Sequence, residues 1–265
     1  MNRYASFSVM GLVVSALLSA CGGGSDDKST AGTKTKQATA APAQPAKPLD
    51  LTTVGTITGT IRFEGPAPEQ SVAQLSGWSE CSAQHPQGNP PAGDVLVADG
   101  KLQNAMVYIK DGLGNWAFAV PTEPATMDQK GCVFIPRVLG AQIGQPLKFL
   151  NSDPMAHNVH GFAQKASPWN ISLSVKGTSR SVKVDKPESM IEIKCDIHPW
   201  MRAYLGVFDH PYFALSGADG SFTLKNVPPG EYTIEAWHER FGTRSQKVTV
   251  GAKEAKAIEF AFQQG

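Results

Sequence analysis

The chain has 265 residues, of which 41% are hydrophobic, and it carries 24 Lys and Arg against 23 Asp and Glu. This length allows one large β domain or two smaller ones, and the hydrophobic content suits a packed core but not a polytopic membrane protein. A net charge near zero offers no surface for a polyanion, so we expect no nucleic acid partner.

The first 21 residues have the features of an export signal: one arginine, then an apolar run, then Leu-Ser-Ala-Cys. The run is too short to cross a bilayer comfortably, which predicts a cleaved signal peptide over residues 1–21. Small residues ending on a cysteine resemble the lipobox of bacterial lipoproteins. That resemblance implies lipidation of Cys21 and an anchor on the periplasmic side of a bacterial membrane; an ordinary secretory signal is the alternative. Gly22 stands where Asp commonly marks inner-membrane retention, which favours the outer membrane.

The segment after Cys21 has a composition typical of a linker. Between residues 22 and 48 the chain has no aromatic and no large aliphatic side chain. Such a segment cannot bury a core. We therefore predict a disordered tether over residues 22–50.

Apolar and polar residues alternate with period two in a series of short segments after residue 50. The clearest are GTITGTIRF (55–63), NAMVYIK (104–110), PLKFL (146–150), IEIKC (191–195), AYLGVF (203–208), SFTL (221–224), EYTIEAW (231–237), QKVTV (246–250) and AIEFAF (257–262). Asp-Gly and Pro-Pro-Gly turns separate several of them. No segment has a convincing 3.6-residue apolar stripe, since the best candidate, around 67–75, is short and polar. The pattern predicts an all-β protein of the β-sandwich class.

Two groups of these strands resemble one known module. The sequence DGSFTLKNVPPGEYTIEAWHE (219–239) resembles the end of a carboxypeptidase-regulatory-like (prealbumin-like) β-sandwich, whose opening strands have counterparts here at 55–63 and 105–109. The two parts are about a hundred residues apart. We favour the hypothesis that a second domain is inserted into, or packed tightly with, this module. The alternative is two consecutive domains, with the opening strands belonging to the first of them. We predict N-terminal strands over 51–127, a second domain over 128–208 and the rest of the module over 209–265.

The four cysteines divide by context. Cys21 is the lipidation candidate and Cys195 lies in a loop, which leaves Cys81 and Cys132 in an exported protein where disulfides persist. Pairing them closes a loop of about 52 residues and contributes on the order of 4 kcal/mol in the chain-entropy model. The alternative is a second metal site at Cys81 and His85, which would leave Cys132 unpaired.

A set of soft metal ligands occurs in the loop KCDIHPWMRA (194–203). Cys195, His198 and Met201 have the spacing Cys-x2-His-x2-Met, and His157 ends another predicted strand. A thiolate, two imidazoles and a weak thioether suit a type 1 (blue) copper ion, whereas zinc prefers four strong tetrahedral ligands. Taken singly, each of these residues is more often structural than ligating. His160 competes with His157, but strand alternation turns it to the opposite side.

The flanking sequences resemble the cupredoxins over about residues 128–208. CDIHPWM (195–201) is similar to the short copper loop of amicyanin, and NSDPMAHNVH (151–160) to the family's first-histidine segment. The resemblance implies a Greek-key cupredoxin β-sandwich with one type 1 copper bound by four residues and braced by Asn158. The implied ligands are His157, Cys195, His198 and Met201.

This ligand set leaves no open coordination position for a substrate, and the chain has no His-Cys-His tripeptide that would couple copper centres. We therefore expect a one-electron carrier and not an enzyme. We expect His198 to reach the surface within an apolar electron-exchange patch formed by Pro154, Met155, Pro199 and Trp200. The amicyanin resemblance implies periplasmic redox partners such as a dehydrogenase or a c-type cytochrome. The alternatives are a copper-delivery module and a metal-free adhesion or scaffold protein. The histidines outside the set are expected to be structural or solvent-facing: His85, His210 and His238.

Overall fold

The computed structural model describes residues 46–264. The predicted signal peptide, Cys21 and most of the tether lie outside this range and stay predictions. Within the described range, no helix has the length and apolar character needed to cross a membrane.

The described chain is built almost wholly of strands, as the alternation predicts. Its elements in chain order are β1 (Lys47–Pro48), β2 (Gly55–Glu64), α1 (Ser79–Ala83), β3 (Val97–Ala98), β4 (Lys101–Leu102), β5 (Met106–Asp111), β6 (Trp116–Ala117), β7 (Ala125–Gln129), β8 (Phe134–Ile135), β9 (Val138–Gln142), β10 (Leu147–Asn151), β11 (His157–Phe162), β12 (Trp169–Leu173), β13 (Ser179–Val182), β14 (Glu188–Lys194), β15 (Arg202–Phe208), β16 (Phe213–Leu215), β17 (Ser221–Val227), β18 (Gly230–His238), β19 (Gly242–Val250) and β20 (Ala255–Gln263).

The first sandwich consists of a five-stranded sheet in the order β12-β11-β14-β15-β9 and a four-stranded sheet in the order β13-β10-β7-β8. Alternate residues of each strand point into one core, as in Leu147 and Phe149 of β10 and Ile191 and Ile193 of β14. β14 runs antiparallel to both β11 and β15. The end of β14 therefore lies beside β11 and leads directly into the loop before β15.

The second sandwich takes its strands from both ends of the described chain. β2 pairs in parallel with β20 along its length and antiparallel with β17, while β5 lies between β16 and β18. The opening strands thus share sheets with the C-terminal strands, and β7–β15 come between them in the sequence. The residue boundaries given above for the domains stay predictions.

The two sandwiches meet at an apolar layer within one compact unit. Met106 and Tyr108 of β5 pack there with Val138 and Phe208. The backbones approach closely, because a Cβ added at Gly140 would lie 2.6 Å from the Phe213 ring. Beside this layer, Arg137 forms an ion pair with Glu239.

Residues 71–92 form a closed loop, called the cap loop below. Its ends are joined by a bridge between Val72 and Pro91. Ala73, Leu75 and Cys81 of this loop are buried in the core of the first sandwich. The loop also contains the five-residue helix α1, which the sequence pattern did not predict.

Candidate metal centre

The loop after β14 brings a cysteine and a histidine together. Lys194 pairs with Arg202 across the hairpin, so residues 195–201 form a tight connection. The backbone N–H of Cys195 donates to the carbonyl of Met201 (3.2 Å), and the N–H of Met201 donates to the carbonyl of His198 (2.9 Å). This folding turns the Nδ1 of His198 to 3.7 Å from the Sγ of Cys195.

The third group comes from the neighbouring strand. His157 is the first residue of β11, and its Nδ1 lies 3.9 Å from the Sγ of Cys195 and 2.9 Å from the Nδ1 of His198. The exposed fractions are 0% for His157, 2% for Cys195 and 3% for His198. Two imidazole nitrogens and one sulfur therefore converge in a space closed to solvent.

The three distances between these atoms match the ligands of one ion. The circle through the two Nδ1 atoms and the Sγ has a radius of about 2.1 Å, within the usual metal–imidazole and metal–thiolate bond range of about 2.0–2.3 Å. Sulfur–nitrogen separations near 3.8 Å are long for hydrogen bonds, but they are expected for two ligands of the same metal. The residues present therefore fit a metal ion with trigonal His₂Cys coordination.

The electrostatics of the cluster favour the thiolate form that a metal requires. Burial raises the pKa of Cys195, but His157, His198 and the nearby backbone N–H of Asn158 lower it more, to about 6. The thiolate is the metal-binding form of cysteine. Its ionisation near neutral pH prepares the site for a cation.

A buried carboxylate holds the other nitrogen of His157. Asp153 accepts a hydrogen bond from Nε2 of His157 (2.9 Å) and from the backbone N–H groups of Gly131 (2.6 Å) and Cys132 (2.8 Å). Burial raises the pKa of Asp153, but these three donors together bring it below its ordinary value. Sequence reasoning missed this residue, although its position four residues before His157 was the available signal.

Asn158 links the first histidine strand to the cysteine loop. Its Oδ1 accepts the backbone N–H of Asp196 (2.7 Å), and its Nδ2 donates to Oδ2 of Asp196 and Oδ1 of Asn170, both at 2.8 Å. These contacts hold the residue that follows Cys195; the role of Asn158 as a brace of a metal site stays a prediction. The Nδ1 of His160 lies 3.0 Å from Oδ1 of Asp196, and His160 takes no part in the cluster of donor atoms.

Met201 is buried at 1% exposure in the core of the first sandwich, directly before β15. Its backbone closes the loop that carries Cys195 and His198. Its role as the fourth ligand stays a prediction.

The surroundings of His198 differ from the expected surface patch. His198 is buried against the indole rings of Trp78 and Trp200, whose centroids lie 4.7 and 5.2 Å from that of the imidazole. Met155 is also buried, with its sulfur 3.8 Å from that of Cys132, and half-buried Trp200 donates its indole N–H to the carbonyl of Cys132. Of the four predicted patch residues, the two prolines are exposed: Pro154 and Pro199. The expectation of a surface-exposed His198 was wrong, because no local spacing signals a covering residue more than a hundred positions away.

Cys81 and Cys132 form the predicted disulfide, which removes the alternative of a metal site at Cys81 and His85. His85 instead lies 2.7 Å from the carbonyl of Gly131 through Nε2. His210 and His238 are both buried in the second sandwich, at 7% and 2% exposure. Of the two expectations for these histidines, structural or solvent-facing, burial matches the structural one.

Comparison with known proteins identifies part of the second sandwich. Residues 207–263 match the carboxypeptidase regulatory-like domain family. The matched segment contains the Val-Pro-Pro-Gly turn and strands β16–β20. No curated protein is similar enough in sequence to count as a relative of the chain.

Several solved copper proteins resemble part of the structure. A copper-containing nitrite reductase from Thermus scotoductus SA-01 is 25% identical, with a TM-score of 0.31, over 35% of this chain and 24% of its own. A purple cupredoxin from Nitrosopumilus maritimus is 18% identical (TM-score 0.27), covering 31% of this chain and 98% of its own. An amicyanin variant in its Cu(I) form is 19% identical (TM-score 0.29), covering 39% and 98%. Cupredoxins are thus among the solved structures that resemble this chain, and its C-terminal segment matches the carboxypeptidase regulatory-like family, as the motifs predicted.

Proposed function

We propose that the protein is a membrane-anchored periplasmic type 1 copper protein that carries single electrons between redox partners. The observation that supports this most directly is the convergence of His157, Cys195 and His198 on one point about 2.1 Å from each donor atom.

The donor set favours copper over zinc. Two imidazoles and a thiolate form a trigonal plane, and the remaining candidate, Met201, offers a thioether that is a poor ligand for zinc. A bound copper ion would supply a reversible one-electron couple between Cu(I) and Cu(II). We expect Met201 to be the fourth, weak ligand that would hold the ion.

The protein's own groups would keep the ligand geometry constant. His157 is held at Nε2 by Asp153, and the cysteine loop is held by Asn158. The buried environment excludes water from the donor atoms. Fixed ligands and excluded water both reduce the rearrangement that accompanies electron exchange.

The cellular setting belongs to the proposal as well. Lipidation at Cys21 would attach the protein to the periplasmic face of a membrane, for which Gly22 favours the outer one. A dehydrogenase or a c-type cytochrome would serve as donor or acceptor. Their encounters would use a small, transient interface.

The test is the optical and paramagnetic spectrum of the copper-loaded protein. Adding Cu(II) to metal-free protein should produce an intense band at about 600 nm, typical of thiolate–copper(II) charge transfer. Cys195→Ser should abolish the band, whereas the matched control His160→Gln, a neighbouring histidine outside the cluster, should keep it. A colourless wild-type protein with one tightly bound zinc would refute the proposal.

The alternative of a copper-delivery module predicts fast transfer of Cu(I) to an acceptor and no reversible cycling. Burial of all three donor residues, each less than 4% exposed, argues against fast transfer. Voltammetry of the copper-loaded protein followed by metal analysis separates the two, since a carrier keeps its copper through many cycles.

A further inference from the structure

The disulfide between Cys81 and Cys132 lies beside the candidate metal centre. The Sγ of Cys132 lies within 4.8 Å of a ring nitrogen of His157, and both disulfide sulfurs lie within 4.8 Å of a ring nitrogen of His198. The bond therefore joins the cap loop to the strand connection that lies beside both imidazoles.

The cap loop also covers the outer side of His198. Trp78 contacts the rings of His198 and Trp200, with centroids 4.7 and 5.7 Å apart. Trp78 itself is 37% exposed, whereas His198 beneath it is 3% exposed. A cleft of about 190 Å³ lined by residues 77–81 and His198 marks where this cover meets solvent.

Cys132, the disulfide partner outside the cap loop, belongs to a segment that also contacts the site. The N–H groups of Gly131 and Cys132 hold Asp153, which in turn holds His157. Trp200 donates to the carbonyl of Cys132. Displacing the cap loop would thus uncover His198. It would also disturb the segment at Gly131 and Cys132, which holds His157 through Asp153.

From these contacts we infer that the cap loop is a disulfide-stapled lid that controls the entry of metal to the His157–Cys195–His198 cluster and its loss from it. The disulfide limits the opening of the loop, because a cross-linked segment reaches fewer conformations than a free one. Trp78 is the part of the lid that separates the ligand imidazole from solvent. This inference rests on the proposed metal site, although its first test needs no metal.

The first test measures access to Cys195, the free cysteine among the described residues. Metal-free wild-type protein is treated with iodoacetamide, and alkylation of the peptide containing Cys195 is followed by mass spectrometry. Trp78→Ala and the double variant Cys81→Ser/Cys132→Ser should react at least about tenfold faster, because both ease local opening. The double variant leaves no new thiol, and Trp116→Ala serves as a matched tryptophan control that should react at the wild-type rate.

The second test follows the removal of Cu(I) by a colorimetric chelator from the same proteins. The two lid variants should lose copper at least about tenfold faster than wild type and Trp116→Ala. Wild-type rates in both lid variants, with circular dichroism showing folded protein, would overturn the lid. If the copper proposal fails but the lid is real, the outcome is different: alkylation of Cys195 is accelerated in the lid variants, but neither wild type nor any variant binds copper.

Discussion

The carboxylate of Asp153 lies 2.9 Å from Nε2 of His157, and neither side chain is exposed to solvent. Because Nδ1 of the same ring faces Cys195, the carboxylate fixes which nitrogen points into the cluster. A buried negative charge at this position also favours the more highly charged state of a bound metal.

Asp153→Asn should therefore weaken metal binding by about 10- to 100-fold and raise the reduction potential of bound copper. The amide has no negative charge to stabilise Cu(II), and in either orientation its N–H₂ group would face a backbone donor, that of Gly131 at the Oδ1 position or that of Cys132 at the Oδ2 position. Chelator competition and potentiometric titration measure the two effects. Asp128→Asn is the control, since that carboxylate bonds Ser152 instead; equal effects from both variants would contradict a specific role for Asp153.

Two buried methionines allow a test of the predicted fourth ligand. Met201→Leu should keep copper bound but raise its potential, because loss of the thioether favours Cu(I). Met155→Leu should leave the potential unchanged, since its sulfur contacts Cys132 and Gln84. A change of this kind at a packed site costs less than about 1.5 kcal/mol, so both proteins should fold. If voltammetry shows a shift in potential for the Met155 variant alone, Met201 is not the ligand and the assignment is wrong.

The ion pair between Arg137 and Glu239 joins the two sandwiches in a largely buried setting. The exposed fractions of the two side chains are 13% and 7%, and Arg137 also donates to the carbonyl of Ala92 at 2.7 Å. Arg137→Met should lower the free energy of unfolding by about 3–5 kcal/mol, because it leaves a buried carboxylate unpaired.

Urea denaturation measures that loss. The control is Arg62→Met, which breaks an ion pair with Glu259 whose side chains are 49% and 51% exposed. That variant should lower the free energy of unfolding by less than about 1 kcal/mol. If the free energy of unfolding falls equally in the two variants, the Arg137 pair stabilises the protein no more than a surface ion pair does.

His238 should make stability sensitive to acid. Burial lowers its pKa from 6.5 to about 4, outweighing the opposing effect of Asp94. The neutral ring therefore contributes stability that is complete above about pH 6.5 and is lost progressively as the pH falls from about 6.5 to about 4. Between pH 7.5 and 5, wild type should lose on the order of 2 kcal/mol more than His238→Gln. Parallel pH profiles for the two proteins would show that His238 is not buried as a neutral ring.

Period-two alternation predicted most of the long strands, including β2, β10, β15, β18 and β20. It missed strands such as β12 and β13, which lie at the edges of the first sandwich. Their residues are mostly polar or exposed, so no continuous apolar face appears in the sequence. Helix α1 was missed because five residues are too few for a helical periodicity.

By itself, the sequence determined those features that depend on residues close together in the chain: the strand pattern, the turns, and a loop able to direct Cys195 and His198 to one point. Composition and export context favoured the pairing of Cys81 with Cys132, which the structure contains. Only the tertiary structure decided that Trp78 covers His198, that Asp153 faces His157, and that β2 joins the C-terminal strands. Those contacts arise when separate strands pack into shared sheets and cores. Packing partners are chosen by shape and burial across the whole fold, which no local spacing records.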